Sequence, residues 1–158
     1  MSTNIAIKIL GVDPGTTTGL CKLLYFPTEQ RYESLGSRDR RITPLQLGPQ
    51  QHHEELYKLL TTWNPDIVVC ESFTYQRRDK VVLDSVEYIG VCKLYCAMTR
   101  TQYFEQSPSM GKAFWKDEKI KQLKLWEPSM GHAMDALRHV LQFIMVSLKD
   151  NQFVMALR

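Results

Sequence analysis

Three acidic side chains stand where predicted elements of structure begin or end. Asp13 and Glu71 each follow a short apolar run directly, and Asp135 lies three residues after His132 in a segment with helical periodicity. Carboxylates at the ends of buried strands are held on rigid elements and still reach solvent. Residues spaced i and i+3 share one face of a helix. The pattern predicts that these four side chains meet in one cleft.

Carboxylates that converge repel one another unless a cation lies between them. Sites rich in oxygen ligands favour Mg²⁺ or Mn²⁺, so the pattern is typical of a divalent-metal centre. Each residue taken alone also has a purely structural interpretation. Asp13 could serve a turn with the Pro and Gly that follow it. Glu71 could cap a helix or face solvent, and His132 could begin a helix.

The strands are predicted by apolar runs bounded by turn residues. The first two flank the turn after Asp13 and are expected to form a hairpin, and a run buried on both faces ends at Glu71. Pro44–Pro49 is interpreted as a connector. The predicted strands are Ile5–Val12, Leu20–Phe26, Arg31–Arg41, Ile67–Cys70 and Gln102–Glu105.

The helices are predicted by apolar residues that recur with a period of 3.6. In the last helix one apolar stripe can bury against a sheet, while a second stripe contains His132, Asp135, His139 and Gln142. Gln106–Lys112 is interpreted as a loop. The predicted helices are Gln50–Trp63, Lys80–Met98, Asp117–Trp126 and a last helix from Ser129 or Gly131 to about Leu148.

The order of these elements indicates the fold class. Antiparallel strands come first, and helices alternate with strands afterwards, which is typical of an α/β domain. We expect a mixed five-stranded sheet with helices on both faces. A chain of 158 residues supports one core of ordinary size, so we predict a single domain over residues 1–158.

Composition excludes several classes of protein. The net charge of +3 is compatible with a nucleic-acid partner but does not require one. The four cysteines form no CxxC motif, which argues against a structural zinc site, and we expect them reduced and buried. The sequence has neither a signal-peptide pattern nor an apolar run of about 20 residues that would span a bilayer. We therefore expect a cytoplasmic protein.

Four motifs resemble, in order, those of the RuvC-type Holliday junction resolvases, which have an RNase H-like fold. Residues 11–19 resemble the opening Gly-Ile/Leu-Asp-Pro-Gly motif, and Val68–Phe73 resemble the strand that ends in Glu shortly before an aromatic residue. Residues 107–112 are similar to the family's Pro-x-x-x-Lys loop. Residues 132–137 are similar to its closing helix motif, Asp/His-x-x-Asp-Ala-Leu/Ile. Together the motifs cover the chain from about Lys8 to Phe143.

The resemblance implies a crossover junction endonuclease that hydrolyses branched DNA in recombination and repair, using two Mg²⁺ ions per active site. Asp13 would bridge both ions, and Glu71 would bind one of them. His132 and Asp135 would bind the other. Lys112 would stabilise the scissile phosphate or position the DNA backbone, unless it is a solvated loop lysine.

Two features depart from the commoner family pattern. His132 stands where that pattern has Asp, which lowers the negative charge of the site and favours Mn²⁺ beside Mg²⁺. The segment between Lys112 and His132 is short and lacks the usual Gly-rich stretch. It is closer to the short RuvC-like proteins of bacteriophages, so we expect the host to be a bacterial or phage-infected cell.

The segment after Glu71 alternates aromatic residues with cations. Phe73 and Tyr75 are predicted to stack on unpaired bases at a junction, and Arg77 and Arg78 to contact phosphates. Core packing is the alternative for Phe73. A row of lysines at positions 116, 119, 121 and 124 either extends this basic surface or forms the wet face of a helix.

The helix Lys80–Met98 has apolar or small residues on more than one side. Since a four-way junction has near two-fold symmetry, we expect a homodimer that presents two active sites, with Ile89 and Gly90 in its interface. Gly90 in a helix interior suggests close backbone approach, either to a partner or to the sheet of the same subunit. A well-buried helix of a monomer is the alternative.

The first motif also supports a competing function. Its Asp-x-Gly-Thr-Thr-x-Gly spacing resembles the phosphate-binding opening of actin-like ATPases and sugar kinases, which share the same core. Those proteins need two such domains and a second Gly-rich loop, which this sequence lacks. A noncatalytic or nucleotide-binding relative is therefore the alternative to a nuclease.

Overall fold

The computed structural model describes residues 5–27, 42–48, 52–74 and 83–157. Its sheet has five strands in the order β3-β2-β1-β4-β5. β1 pairs antiparallel with β2, and β2 with β3, whereas β4 is parallel to β1 and β5 is parallel to β4. The predicted hairpin and mixed sheet are confirmed. The strands are β1 Ile7–Asp13, β2 Thr18–Tyr25, β3 Ile42–Leu47, β4 Ile67–Glu71 and β5 Gln102–Gln106.

Helices cover both faces of this sheet, as predicted. In the described part of the chain, none is long and apolar enough to cross a membrane. The helices are α1 His52–Trp63, α2 Asp84–Thr99, α3 Pro108–Phe114, α4 Asp117–Gln122, α5 Gly131–Val146 and α6 Gln152–Met155.

Alternating side chains of the central strands build two separate cores, because successive residues of a strand point to opposite faces. Ile9 and Val69 pack in the core beneath α5, whereas Leu10 and Val68 pack in the core beneath α1 and α2. All four cysteines are buried and reduced, as expected.

The prediction of a connector over Pro44–Pro49 is wrong, because Ile42–Leu47 forms β3. Pro44 lies opposite Cys21 in the β2–β3 ladder. Proline is tolerated there because β3 is an edge strand, with one side unpaired in the described sheet. The predicted strand Arg31–Arg41 lies outside the described residues.

The loop predicted over Gln106–Lys112 is also wrong, because Pro108–Phe114 forms α3. Proline suits the first position of a helix, since the missing N–H has no partner there in any case. The predicted helix Asp117–Trp126 is shorter than expected and ends at Gln122. Lys124, with φ 58°, has the left-handed backbone that ends helices.

Candidate active site

The ends of two neighbouring strands place Asp13 and Glu71 side by side. β1 and β4 are parallel, and Val12 lies opposite Cys70 in their ladder, so the next residue on each strand is an acid. Asp13 is only 7% exposed. The predicted pair of carboxylates therefore lies at the carboxyl edge of the sheet centre, largely shielded from water.

The amino end of α5 approaches this edge closely because Gly19 has no side chain. A Cβ on Gly19 would lie 2.0 Å from the backbone carbonyl group of His132, and a Cβ on Gly11 would lie 2.5 Å from a backbone oxygen of α5. His132 N–H donates to Gln46 Oε1 at 3.0 Å, which satisfies an amide that helix starts leave unpaired. As a result, His132 Nδ1 lies 3.0 Å from Asp13 Oδ2.

Asp135 lies one turn further along α5 and meets α3. Lys112 Nζ is 2.9 Å from Asp135 Oδ2. Gly111 permits this contact, since a Cβ on it would already lie 3.1 Å from Arg138 Cβ on α5. Lys112 thus joins the predicted ligands although it lies on a helix instead of the expected loop.

The electrostatics of the site favour a cation among the carboxylates. Burial raises the pKa of Asp13 to about 6, with further upward contributions from Glu71 and Asp135 and an opposing hydrogen bond with His132. Burial alone would lower the pKa of Lys112, but Asp135, followed by Glu71 and Asp13, holds it above its ordinary value. One ammonium group therefore interacts with all three carboxylates, and a donor set of three carboxylates and an imidazole fits Mg²⁺ or Mn²⁺.

A second layer of polar residues supports two of these carboxylates. Arg138 is buried and pairs with both Asp135 and Asp117, while its Nε donates to the backbone oxygen of Trp115 at 2.8 Å. Glu71 Oε2 is 2.8 Å from Nε2 of the buried His139. Buried partners therefore hold both Glu71 and Asp135 in position, and Asp135 also contacts Lys112 in the cleft.

Two supporting residues of the site, Gln46 and Arg138, are not among the predicted site residues. Gln46 lay in a supposed connector, so no signal identified it. Arg138 does carry a signal in the sequence: it is a charged residue within the apolar stretch of α5, and buried charges are rarely stable without partners.

The predicted metal ligands are neighbours, but their side chains face other partners. Within the described ranges, no three His, Cys, Asp or Glu side chains surround a point closely enough to hold a metal ion. Glu71 is turned to His139, and Asp135 to Lys112 and Arg138. Binding an ion would therefore require some of these side chains to rotate.

The structure describes only some of the residues that are predicted to contact DNA. Phe73 lies two residues beyond β4 and is 37% exposed, so it is available to a ligand. Tyr75, Arg77 and Arg78 lie outside the described residues. Two of the lysines face aromatic rings, Lys119 over Phe114 and Lys121 over Trp126.

Two proteins of known family are similar to this chain in sequence. No family model matches the chain. A RuvC crossover junction endodeoxyribonuclease of Syntrophomonas wolfei is 31% identical over 107 residues, and one of Thermomicrobium roseum is 28% identical over 112 residues. These matches cover 65% and 67% of this chain, but only 60% and 66% of the two relatives.

Solved structures share the fold at low sequence identity. Thermus thermophilus RuvC in complex with a Holliday junction substrate aligns with a TM-score of 0.61 and 16% identity, over 90% of this chain and 96% of the other. The fowlpox virus Holliday junction resolvase aligns with a TM-score of 0.50 and 11% identity, over 90% and 99%. The chain therefore has the RNase H-like fold of these structures, and part of its sequence is similar to RuvC crossover junction endodeoxyribonucleases.

Proposed function

We propose that the chain is a metal-dependent endonuclease that cuts Holliday junctions or related branched DNA by phosphodiester hydrolysis. The observation that carries this proposal is that Asp13 and Glu71 follow paired residues of the parallel strands β1 and β4, while α5 brings His132 Nδ1 to 3.0 Å from Asp13 Oδ2 at the same edge of the sheet. The names of the relatives, crossover junction endodeoxyribonucleases, support branched DNA as the substrate. We place this activity in the cytoplasm of a bacterial or phage-infected cell.

The side chains of the site have separate tasks in this proposal. The residues that would hold two Mg²⁺ or Mn²⁺ ions are Asp13, Glu71, His132 and Asp135. The ions supply the positive charge that activates water and stabilises the leaving 3′ oxygen. Lys112 can turn from Asp135 to a phosphate oxygen, where a charged N–H donor stabilises the developing negative charge. Arg138 keeps its contact with the other carboxylate oxygen of Asp135, so Asp135 stays in place.

The direct test is incubation with a synthetic four-way junction in Mg²⁺ or Mn²⁺, beside linear duplex and flap DNA of the same sequence. We expect incision of the junction and much slower incision of the linear duplex, with no product in excess chelator. Equal cleavage of all three DNAs would contradict selectivity for branched DNA.

We further propose that the enzyme is a homodimer that pairs through α2. One face of this helix carries exposed apolar residues, and Leu94 is 59% exposed at its centre. The other exposed apolar residues on this side are Val86 and Met98 of α2 and Leu83, which directly precedes the helix. An exposed apolar stripe of this length on a helix is typical of an interaction surface, and a second copy of the same stripe would cover it in an isologous dimer.

Two expectations about this interface need correction. Ile89 packs in the core with α1 and the sheet, so it is not available to a partner. Gly90 does lie on the exposed face, but no described atom lies within 4 Å of where its Cβ would be. A close approach to the sheet of the same subunit therefore does not explain why position 90 is a glycine.

The amino end of α2 is also joined to the turn that follows Asp13. Thr16 Oγ1 donates to Asp84 Oδ2 at 2.9 Å, and Ser85 Oγ donates to Pro14 O at 2.7 Å. Pairing through α2 would therefore fix the two active sites relative to each other, as paired incision of one junction requires.

Leu94→Glu is expected to convert the dimer to a monomer at micromolar concentration, because it places a charge in an apolar interface that cannot solvate it. Light scattering measures the mass. Met155→Glu is the matched control, since Met155 is 82% exposed and lies outside α2, and it should leave the mass unchanged. A wild-type protein that is monomeric both alone and on junction DNA would disprove the dimer.

Phe73→Ala is expected to slow junction cleavage by about 5- to 150-fold, since the loss of one stacked base costs about 1–3 kcal/mol. Binding to linear duplex, which has no unpaired bases, should change little. Because Phe73 is partly exposed, the melting temperature of the variant should also stay close to that of the wild type. Equal losses on every DNA together with a lower melting temperature would indicate a packing role instead.

A further inference from the structure

His139 is a buried polar residue that the mechanism above does not use. It lies on α5, and its side chain is 1% exposed. Its two ring nitrogens contact two different strands: Nε2 lies 2.8 Å from Glu71 Oε2, and Nδ1 lies 2.8 Å from Gln106 Oε1. A buried polar side chain is stable when both of its polar atoms have partners. Here both partners are side chains at the site's edge of the sheet.

The sheet itself sets the distance between those partners. Glu71 and Gln106 are the last residues of β4 and β5, and they lie opposite each other in the parallel ladder. Ser72 N–H donates to Gln106 O at 2.8 Å, which extends this pairing one residue beyond Glu71. The ring of His139 bridges the two side chains from the helix above. All three residues are therefore fixed by regular secondary structure.

The direction of the hydrogen bond to Glu71 follows from its chemistry. An ionised carboxylate has no proton to donate, so the ring donates from Nε2 to Oε2. Gln106 holds the ring from its other nitrogen, and an amide can present either its oxygen or its nitrogen to such a contact. The ring cannot turn away from Glu71 without losing both contacts in a buried place.

We propose that His139 is a positioning residue for Glu71, an inference that rests on the function proposed above. With Gln106 it fixes one carboxylate oxygen of Glu71 on the protein side, so that only the other oxygen needs to adjust when an ion binds. Without this donor, repulsion from Asp13 would favour rotamers of Glu71 that point away from the site. Residues that orient a metal ligand in this way contribute about 10- to 100-fold to metal affinity.

The test is Mn²⁺ affinity of the full chain, measured by electron paramagnetic resonance of the unbound ion in the absence of DNA. His139→Leu is expected to weaken Mn²⁺ binding by about 10- to 100-fold. His139→Gln should restore most of the affinity, because the amide nitrogen of glutamine can donate from nearly the position of Nε2. Should His139→Leu fail to fold, Gln106→Met tests the same arrangement: it removes the contact to Nδ1 while the chain keeps the Nε2 donor, and it should weaken Mn²⁺ binding less than His139→Leu but measurably.

Ile144→Val is the matched control for a purely structural effect. Ile144 is fully buried on the same helix and packs in the core away from Glu71, so the variant should melt at a lower temperature and bind Mn²⁺ like the wild type. The double variant of His139→Leu with Glu71→Gln should bind no more weakly than Glu71→Gln alone, because the role of His139 passes through Glu71. Wild-type affinity in His139→Leu, or losses that multiply in the double variant, would overturn the inference.

Asp13→Asn separates this inference from the function on which it rests. If Asp13→Asn loses Mn²⁺ binding and His139→Leu does not, only the positioning role fails. If Asp13→Asn binds Mn²⁺ like the wild type, the metal site fails, and the proposed function fails with it.

Discussion

Asp13→Asn is expected to slow cleavage of a four-way junction by about 1,000-fold or more, equivalent to about 4 kcal/mol of activation free energy. Asp13 is the most central of the carboxylates, since it contacts His132 and interacts with both Glu71 and Asp135. Asparagine keeps the shape of the side chain but removes the charge that a divalent ion needs. Junction binding should persist, because affinity for DNA comes mostly from basic contacts to phosphates. Single-turnover cleavage in Mg²⁺ and gel shifts in chelator measure the two effects.

The same substitution should leave the fold intact or stabilise it. Burial and the neighbouring acids disfavour the charged form of Asp13, which is why its pKa is raised to about 6. A neutral amide removes that cost, so the melting temperature at neutral pH should not fall. Asp66→Asn is a matched control, because Asp66 lies before β4 at the opposite edge of the sheet and accepts a hydrogen bond from Lys8 N–H there. Near wild-type cleavage by Asp13→Asn would show that the site is assigned wrongly.

Gly19→Ala is expected to destabilise the protein by about 3 kcal/mol and to abolish most junction cleavage. The added Cβ would lie 2.0 Å from the carbonyl group of His132, so the amino end of α5 must move away from the sheet. That movement would separate His132 and Asp135 from Asp13. Gly19 has no positive φ, so the loss arises from the contact and not from backbone strain.

Chemical denaturation and cleavage assays measure these two effects of Gly19→Ala. Gly48→Ala is the matched control, since no described atom lies within 4 Å of where its Cβ would be. It should leave both stability and cleavage close to those of the wild type. If Gly19→Ala were as stable and active as Gly48→Ala, α5 would not be held against β2 as described.

Much of this fold is predictable from local sequence pattern. The apolar runs before Asp13 and Glu71 identify two central strands, and the 3.6-residue period identifies α1, α2 and α5. The spacing of His132 and Asp135 on α5 then places them on one face. These features are predictable because each depends on neighbours in sequence and on burial against one sheet.

The features that the sequence did not reveal depend on contacts between distant segments. Pro44 suggested a connector, because only the sheet order shows that β3 is an edge strand. Gln46 reaches α5 across 86 positions of the chain, and His139 reaches Glu71 across 68. No local pattern reports such pairs. Similarly, Gln106–Lys112 was interpreted as a loop, whereas Pro108 stands at the first position of α3.

Mapping incisions on all four strands of a labelled four-way junction, with Mg²⁺ and the wild-type protein, tests the proposed nuclease activity directly. We expect paired incisions on two strands of like polarity, which leave 3′-hydroxyl and 5′-phosphate ends that a ligase can seal. A matched preparation of Asp13→Asn should leave every strand intact while still binding the junction. A junction that the wild type leaves uncut in both Mg²⁺ and Mn²⁺ would contradict the proposed activity, and incisions that persist in the Asp13→Asn preparation would contradict the assigned site.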